Sequence, residues 1–205
     1  MKKIMIIAAL LMTTVTVMAQ HDEDDVTIQP KVGMNVATLS DADKAIVNYH
    51  LGVEAEFMIT DNFSASLGVV LSNQGAKYNK TDVMPEYDID LGYVQVPIMA
   101  SYYVLPGLAI KAGVQPGFKT KAKAKIDGQK VDMDQMYGLY NRVTDEDFKV
   151  NPIDLSIPVG ISYEYKNIVL DARYNWGVRS VMNVGDSFYN RVFMVSLGYK
   201  FQLKD

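Results

Sequence analysis

The residues able to do chemistry are few, and their spacing is unusual. Lys119, Lys121, Lys123 and Lys125 take every second position of FKTKAKAKIDG, with Thr120, Ala122 and Ala124 between them. A period of two is that of a β-strand, so the four ammonium groups are expected on one side of it. Clustered in this way at an exposed rim, they would attract a polyanion. A second set also falls at strand spacing: Lys31, Glu54, Glu56, Lys111, Glu164, Asp171, Arg173, Arg179 and Lys200. These carry both signs, which suits a network of paired charges. Nucleophile–base chemistry has little to work with, because the chain has no cysteine and two histidines, His21 and His50. His50 could serve Ser64 or Ser66 only across the height of a barrel, so no catalytic residues and no enzyme activity are expected. No histidine–acid spacing marks a metal, and the glycines fall at strand spacing rather than in a phosphate-cradling loop, so no cofactor is expected either.

The elements that would position these residues are strands almost throughout. In RVFMVSLGYKF, Phe193, Val195, Leu197, Tyr199 and Phe201 alternate with Met194, Ser196, Gly198 and Lys200. The same alternation runs through VLDARYNWGVR, IDLSIPVGISYEY and LAIKAGVQPGFK, and GYVQVPIMASYYV, FSASLGVVLSNQG, YHLGVEAEF and PKVGMNVA are further candidates. The total is about eight strands, many near the ~10 residues that cross a bilayer at a tilt.

Lys2 and Lys3 precede the apolar run IMIIAALLMTTVTV, and VMA follows before Gln20. That is the layout of a cleaved export signal, residues 1–19, whereas a membrane anchor would need a longer apolar run. The domain plan is then a signal peptide at 1–19, an acidic periplasmic tail at 20–26 bearing HDEDD, and a barrel at 27–205. The formal charge is -4; loss of Lys2 and Lys3 brings it to about -6, which argues against a nucleic-acid partner.

The connections separate the fold classes. Short links (TDN, LPG, YKN) alternate with longer ones: LSDADKA, NKTDVMPEY, the stretch from Asp127 to about Asn151, and MNVGDSFY. Alternating tight and long connections are the habit of outer-membrane barrels. The expected fold is therefore all-β, an antiparallel up-and-down transmembrane β-barrel of about eight strands. A soluble barrel with the apolar face as its core is the alternative. Lysine or arginine on the lipid face costs roughly 2–4 kcal/mol near the midplane, which puts the charged parity inside. Tyr102, Tyr163, Tyr165, Phe57, Phe118 and Trp176 are candidates for interfacial girdles. On unbroken parity the lysine ladder would continue the lumen face above the membrane. There Asp82, Glu86, Asp132, Asp134, Asp145, Glu146 and Asp147 could screen it.

VGMNVATL, LSNQGAKY, GYVQVPIMASYY, DARYNWGV and the closing SLGYKF, in that order, resemble the Bacteroidetes outer-membrane β-barrel domain family called PorT-like. The matched positions include Gly33, Asn35, Ser72, Gly75, Tyr93, Pro97, Gly113, Arg173, Tyr174, Gly177, Tyr199 and Phe201. The chain departs from the family at Gly68, where an acid is common, and at QLKD, which follows the terminal aromatic. The resemblance implies a cell-envelope protein of the outer membrane, and the family's named member serves secretion.

The expected function is that of a small structural or surface-interaction barrel with a charge-paired lumen and long extracellular loops. The alternatives are an accessory role in secretion or envelope biogenesis, and a narrow pore. Expected partners are outer-membrane lipid, lipopolysaccharide at the lysine rim, and a protein not identifiable from the chain.

Overall fold

The computed structural model describes residues 25–40, 42–80, 85–126, 129–144, 148–184 and 186–203. The expected leader at 1–19, His21, Asp82 and Asp145 to Asp147 lie outside the described residues.

Period-two alternation produces the strands β1 (Val26–Leu39), β2 (Lys44–Thr60), β3 (Phe63–Tyr78), β4 (Tyr87–Gln95), β5 (Ile98–Leu105) and β6 (Leu108–Ile126). They are followed by β7 (Gln129–Asp132), helix α1 (Met133–Thr144), β8 (Lys149–Val150), β9 (Ile153–Tyr165), β10 (Ile168–Val184), β11 (Asp186–Tyr199) and β12 (Phe201–Leu203). All pairings are antiparallel, and β11 pairs with both β10 and β1, closing a ring of 8 strands. Closure leaves no open edge, which a sheet crossing a bilayer requires.

Two ring positions are built from two segments each. β4 and β5 both lie between β3 and β6, interrupted at Val96–Pro97, since proline has no N–H for the ladder. The interruption is bridged by Val96 N–H to Pro116 O at 2.9 Å and Gly68 N–H to Pro97 O at 3.0 Å. β12 extends β11 along β1, and Val26 stands opposite Leu203, so both described ends share one rim.

That rim also carries the tight turns Asp61–Asn62, Pro106–Gly107 and Lys166–Asn167. Gly107 has φ +77, and a Cβ there would meet Glu164 O at 2.4 Å, so the turn requires glycine.

At the opposite rim the strands overshoot. β6 has 19 residues and β2 and β10 have 17 each, well beyond the ~10 a tilted crossing needs. MNVGDSFY, expected as a long loop, is mostly strand: β10 and β11 run through it and still pair at Val184 and Asp186. The physical reason is that the two strands keep a cross-strand partner up to the tip. MDQMYGLYNRVT, expected as loop, forms α1. Asp132 Oδ1 caps it by accepting from Asp134 N–H at 3.1 Å and Gln135 N–H at 3.2 Å.

Outside, an apolar belt is exposed: Val32, Met34, Leu51, Leu67, Ile110, Val159, Ile161, Leu170 and Leu197 are each about half accessible. Inside the same belt lie Lys31, Glu54, Lys111, Asp171 and Arg173, all buried. Above the belt the polarity inverts, and Leu39, Ala76, Ile89, Leu91, Ala122, Ala124 and Met182 form an interior apolar core. A strand leaving lipid for water must exchange its faces, because the apolar side that suits lipid does not suit water. β4 does this by residue choice, with Ile89 and Leu91 inside and Asp88 and Asp90 turned outward. β6 and β10 do it by register shifts, between Lys119 and Lys121 and between Trp176 and Ser180.

Candidate functional site

The lumen charges meet in two groups. In the first, Arg173 donates through Nε to Asp171 Oδ1 at 2.7 Å and through its terminal nitrogens to Asp171 Oδ2 at 2.9 Å and Glu54 Oε1 at 2.9 Å. Lys31 also donates to Glu54, and Lys111 Nζ lies 3.7 Å from Asp171. In the second, Lys200 reaches Glu56 and Glu164, each at 2.7 Å, and donates to the Tyr103 hydroxyl at 2.9 Å. Tyr103 and Ser64 in turn donate to Glu56 at 3.0 and 2.5 Å.

Lys31, Lys111, Arg173 and Lys200 thus face Glu54, Glu56, Glu164 and Asp171, all eight buried. The signs balance, and among the described residues every member except Lys111, which has the 3.7 Å contact alone, takes part in a hydrogen bond or a close ion pair. Hydrogen-bonded pairing of this kind is what lets charge stay in a dry interior. An eight-strand barrel has room for little beyond such side chains.

Arg179, expected among these residues, is instead exposed and takes no part in either group. It sits within the β10 register shift, which carries it off the inward parity and turns Val181 and Met182 inward.

A polar chain continues above the charges. His50 Nδ1 lies 2.5 Å from Asn35 Oδ1, and His50 Nε2 lies 2.7 Å from Ser196 Oγ. With Asn35 Oδ1 as acceptor, the ring proton sits on Nδ1, and Nε2 accepts from the Ser196 hydroxyl. Asn35 passes the chain to Ser72 at 2.8 Å, and Gln74 donates to the same hydroxyl at 3.1 Å. The hydroxyl–imidazole–amide order is that of an acyl-transfer triad. Asn35, His50 and Ser196 are at most 2% exposed, however. The bonds they make join β1, β2, β3 and β11. A Cβ at Gly33 would stand 2.6 Å from the His50 ring and 2.0 Å from the Val195 carbonyl oxygen, so the imidazole packs over a glycine. Ser64, one expected partner for His50, bonds Glu56 instead.

The lysine ladder does not keep one face. Tyr93 faces Lys119 and Gly92 faces Lys121, so Thr120 is the extra residue of a bulge. Below it Lys119 points toward the interior, where it holds Asp134 of α1 at 2.6 Å and the Val150 carbonyl at 3.1 Å. Above it Ala122 and Ala124 are buried, while Lys123 and Lys125 face outward and Lys121 is partly exposed. A one-residue bulge inverts every side chain beyond it, which is why unbroken parity misplaces the upper three lysines.

Acids do screen these lysines, though only partly the ones expected. Asp90 holds Lys121 at 3.1 Å and stands opposite Lys123, Asp88 stands opposite Lys125, and Asp132 stands opposite Lys123. Glu86 pairs with Lys77, which holds its carboxyl below the usual range.

Residues 18–183 match the sequence profile of the family described as outer membrane protein beta-barrel domain. None of the curated proteins matches the chain. Among solved structures, it is similar to Ail, the attachment invasion locus protein of Yersinia pestis, solved in complex with the heparin analogue sucrose octasulfate. That match has 14% identity and a TM-score of 0.51, covering 87% of this chain and 99% of that one. Neisserial surface protein A is similar at 15% identity and a TM-score of 0.52, covering 86% of this chain and 97% of that one. At these identities the two structures support the fold, and the profile carries the family. The exposed apolar belt, the closed ring and the paired charges within it are those of a barrel in the outer membrane, and the chain belongs to the outer membrane protein beta-barrel domain family.

Proposed function

We propose that this protein is a structural and surface-interaction barrel that conducts nothing through its lumen and works through the wall it raises above the membrane. The observation that carries this reading is the paired charge across the bore: four cations and four carboxylates, all buried, meeting in two groups. In planar bilayers the expected result is no steady conductance. A stepwise ohmic current from the purified barrel would overturn the reading in favour of a narrow pore.

The upper lysines are the part of the wall that would engage anions. Lys123 and Lys125 are exposed and Lys121 is partly exposed, all three beyond the apolar belt, where they would be free to meet the phosphates of lipopolysaccharide. Their acidic neighbours on β4 are partly exposed, and exposed pairs are worth only about 0–1 kcal/mol, so a polyanion can compete for these lysines. Replacing the three by glutamine is expected to weaken retention on immobilised lipopolysaccharide or sucrose octasulfate and to flatten its salt dependence. Unchanged retention at low salt would reject the rim as an anion site. Lys119 is kept in that test because it anchors α1.

The PorT-like resemblance supports a second reading, an accessory part in secretion or envelope biogenesis. Its motifs are the support, and specific co-purification of a periplasmic or membrane partner is its test.

A further inference from the structure

Beneath α1, at the outward end of the barrel, lies a cavity of about 480 Å³. It opens at the rim, where Pro85 and Tyr140 are exposed, and Ile89, Ala124 and Met182 of the apolar core form its wall, so it is a pocket with an open side rather than a packing void. It falls within the range of small-molecule sites. Among the described residues no charged side chain lines it.

The wall indicates what would fit. Tyr78 and Tyr87 stack at 4.8 Å between ring centroids with planes 11° apart, and Phe148 stacks on Tyr140 at 5.5 Å. Met133, Met136 and Met182 supply flexible thioethers that adapt to a flat π-surface. Rings and thioethers reward an aromatic occupant beyond simple area burial, which an alkyl chain would not collect. Burial pushes the Tyr87 and Tyr137 phenols above their ordinary value, so both stay neutral hydrogen-bonding groups. A charged guest would lose its hydration with no counter-charge to meet. Below the cavity come Leu91 and Tyr93, both buried, and then the paired charges of the lumen.

We propose that this cavity is a binding site for an uncharged aromatic small molecule, held at the mouth of the barrel and not passed through it. The assignment goes beyond the anion-engaging rim: the rim lysines lie on the outer wall, the cavity inside it, so each is tested separately. α1 forms part of the roof, tied to β6 by the contact between Lys119 and Asp134.

The test is titration of 1-naphthol, neutral and fluorescent, against the full barrel in lipid nanodiscs, with empty nanodiscs subtracted. Saturable uptake of one molecule per barrel is expected. Ala124→Phe puts a ring into the cavity, and Met136→Lys puts a charge at its roof; each is expected to weaken binding by about tenfold or more while the barrel stays heat-modifiable on gels. Met136 is half-buried on α1, so that variant remains informative where Ala124→Phe fails to fold. Naphthalene-1-sulfonate, the same ring with a charge, is expected to bind far more weakly. Non-saturable uptake, equal binding by a folded Met136→Lys variant, or equal binding of the sulfonate would each overturn the proposal.

Discussion

Replacing Arg173 by leucine should lower the stability of the barrel by about 3–5 kcal/mol, because a buried ion pair broken on one side leaves uncompensated charge. Arg173 is 2% exposed and spans two carboxylates, Asp171 on its own strand and Glu54 across the bore. Its loss leaves Glu54 to Lys31 and Asp171 to Lys111 at 3.7 Å, so the lower end of the range is expected. The companion variant tests the cause. Removing Asp171 as well, as Asp171→Leu with Arg173→Leu, deletes one charge of each sign and should recover part of the loss. Reversible guanidinium unfolding in phospholipid vesicles would read both. A single variant costing under about 1 kcal/mol, or a double costing the sum of its two singles, would mean that the lumen charges are solvated and unpaired.

The same region shows where the sequence is informative and where it falls silent. Which residues face inward follows from alternation, since Glu54, Glu56, Lys111, Asp171 and Arg173 all share a strand parity that lipid forbids on the outside. Which of them meet does not follow. Glu54 and Arg173 are 119 residues apart and touch only because closure and strand tilt bring them to one level. Tyr103 gives no charge signal at all, and its place beside Glu56 and Lys200 comes from inward parity on β5 alone.

The lysine ladder fails differently. A bulge leaves no mark in composition, and Lys119 to Lys125 read as unbroken alternation. A clue did exist in the intervening residues: Ala122, Ala124 and Ile126 are apolar, and above a membrane apolar side chains turn inward to a core rather than outward to water. Helix α1 is obscured for a related reason. Its first turn is set by the Asp132 cap, and it lies over a cavity lined by Tyr87, Met182 and Phe188 from distant strands, so its seat is tertiary. By contrast, the tight turns are marked by their own residues. Pro106–Gly107 and Lys166–Asn167 carry their own backbone requirements, visible in φ values of +77 at Gly107 and +57 at Lys166.

Arginine placed at Val159 should destabilise the barrel by about 2–4 kcal/mol, while the same residue at Tyr165 should cost roughly 0–1 kcal/mol. Both side chains point outward on β9, exposed by 53% and 44%, so burial within the protein does not distinguish them. Depth does. The outward positions of β9 run from Ile153 to Tyr165, and the 12 steps between them, at about 3.3 Å and a tilt of about 40°, cover roughly 30 Å. That matches the hydrocarbon thickness of a bilayer. Val159 is the middle outward position and stands level with Ala112 and Tyr174 on the neighbouring strands, whereas Tyr165 lies at the tight-turn rim. At the rim a guanidinium reaches headgroups and water; at Val159 it must snorkel about 15 Å or distort the bilayer. Unfolding of each variant from vesicles, compared with the parent chain, measures the difference. Equal costs at the two positions would show that β9 does not cross the bilayer with Val159 at its centre, and the polarity inversion above the belt would then need a different boundary.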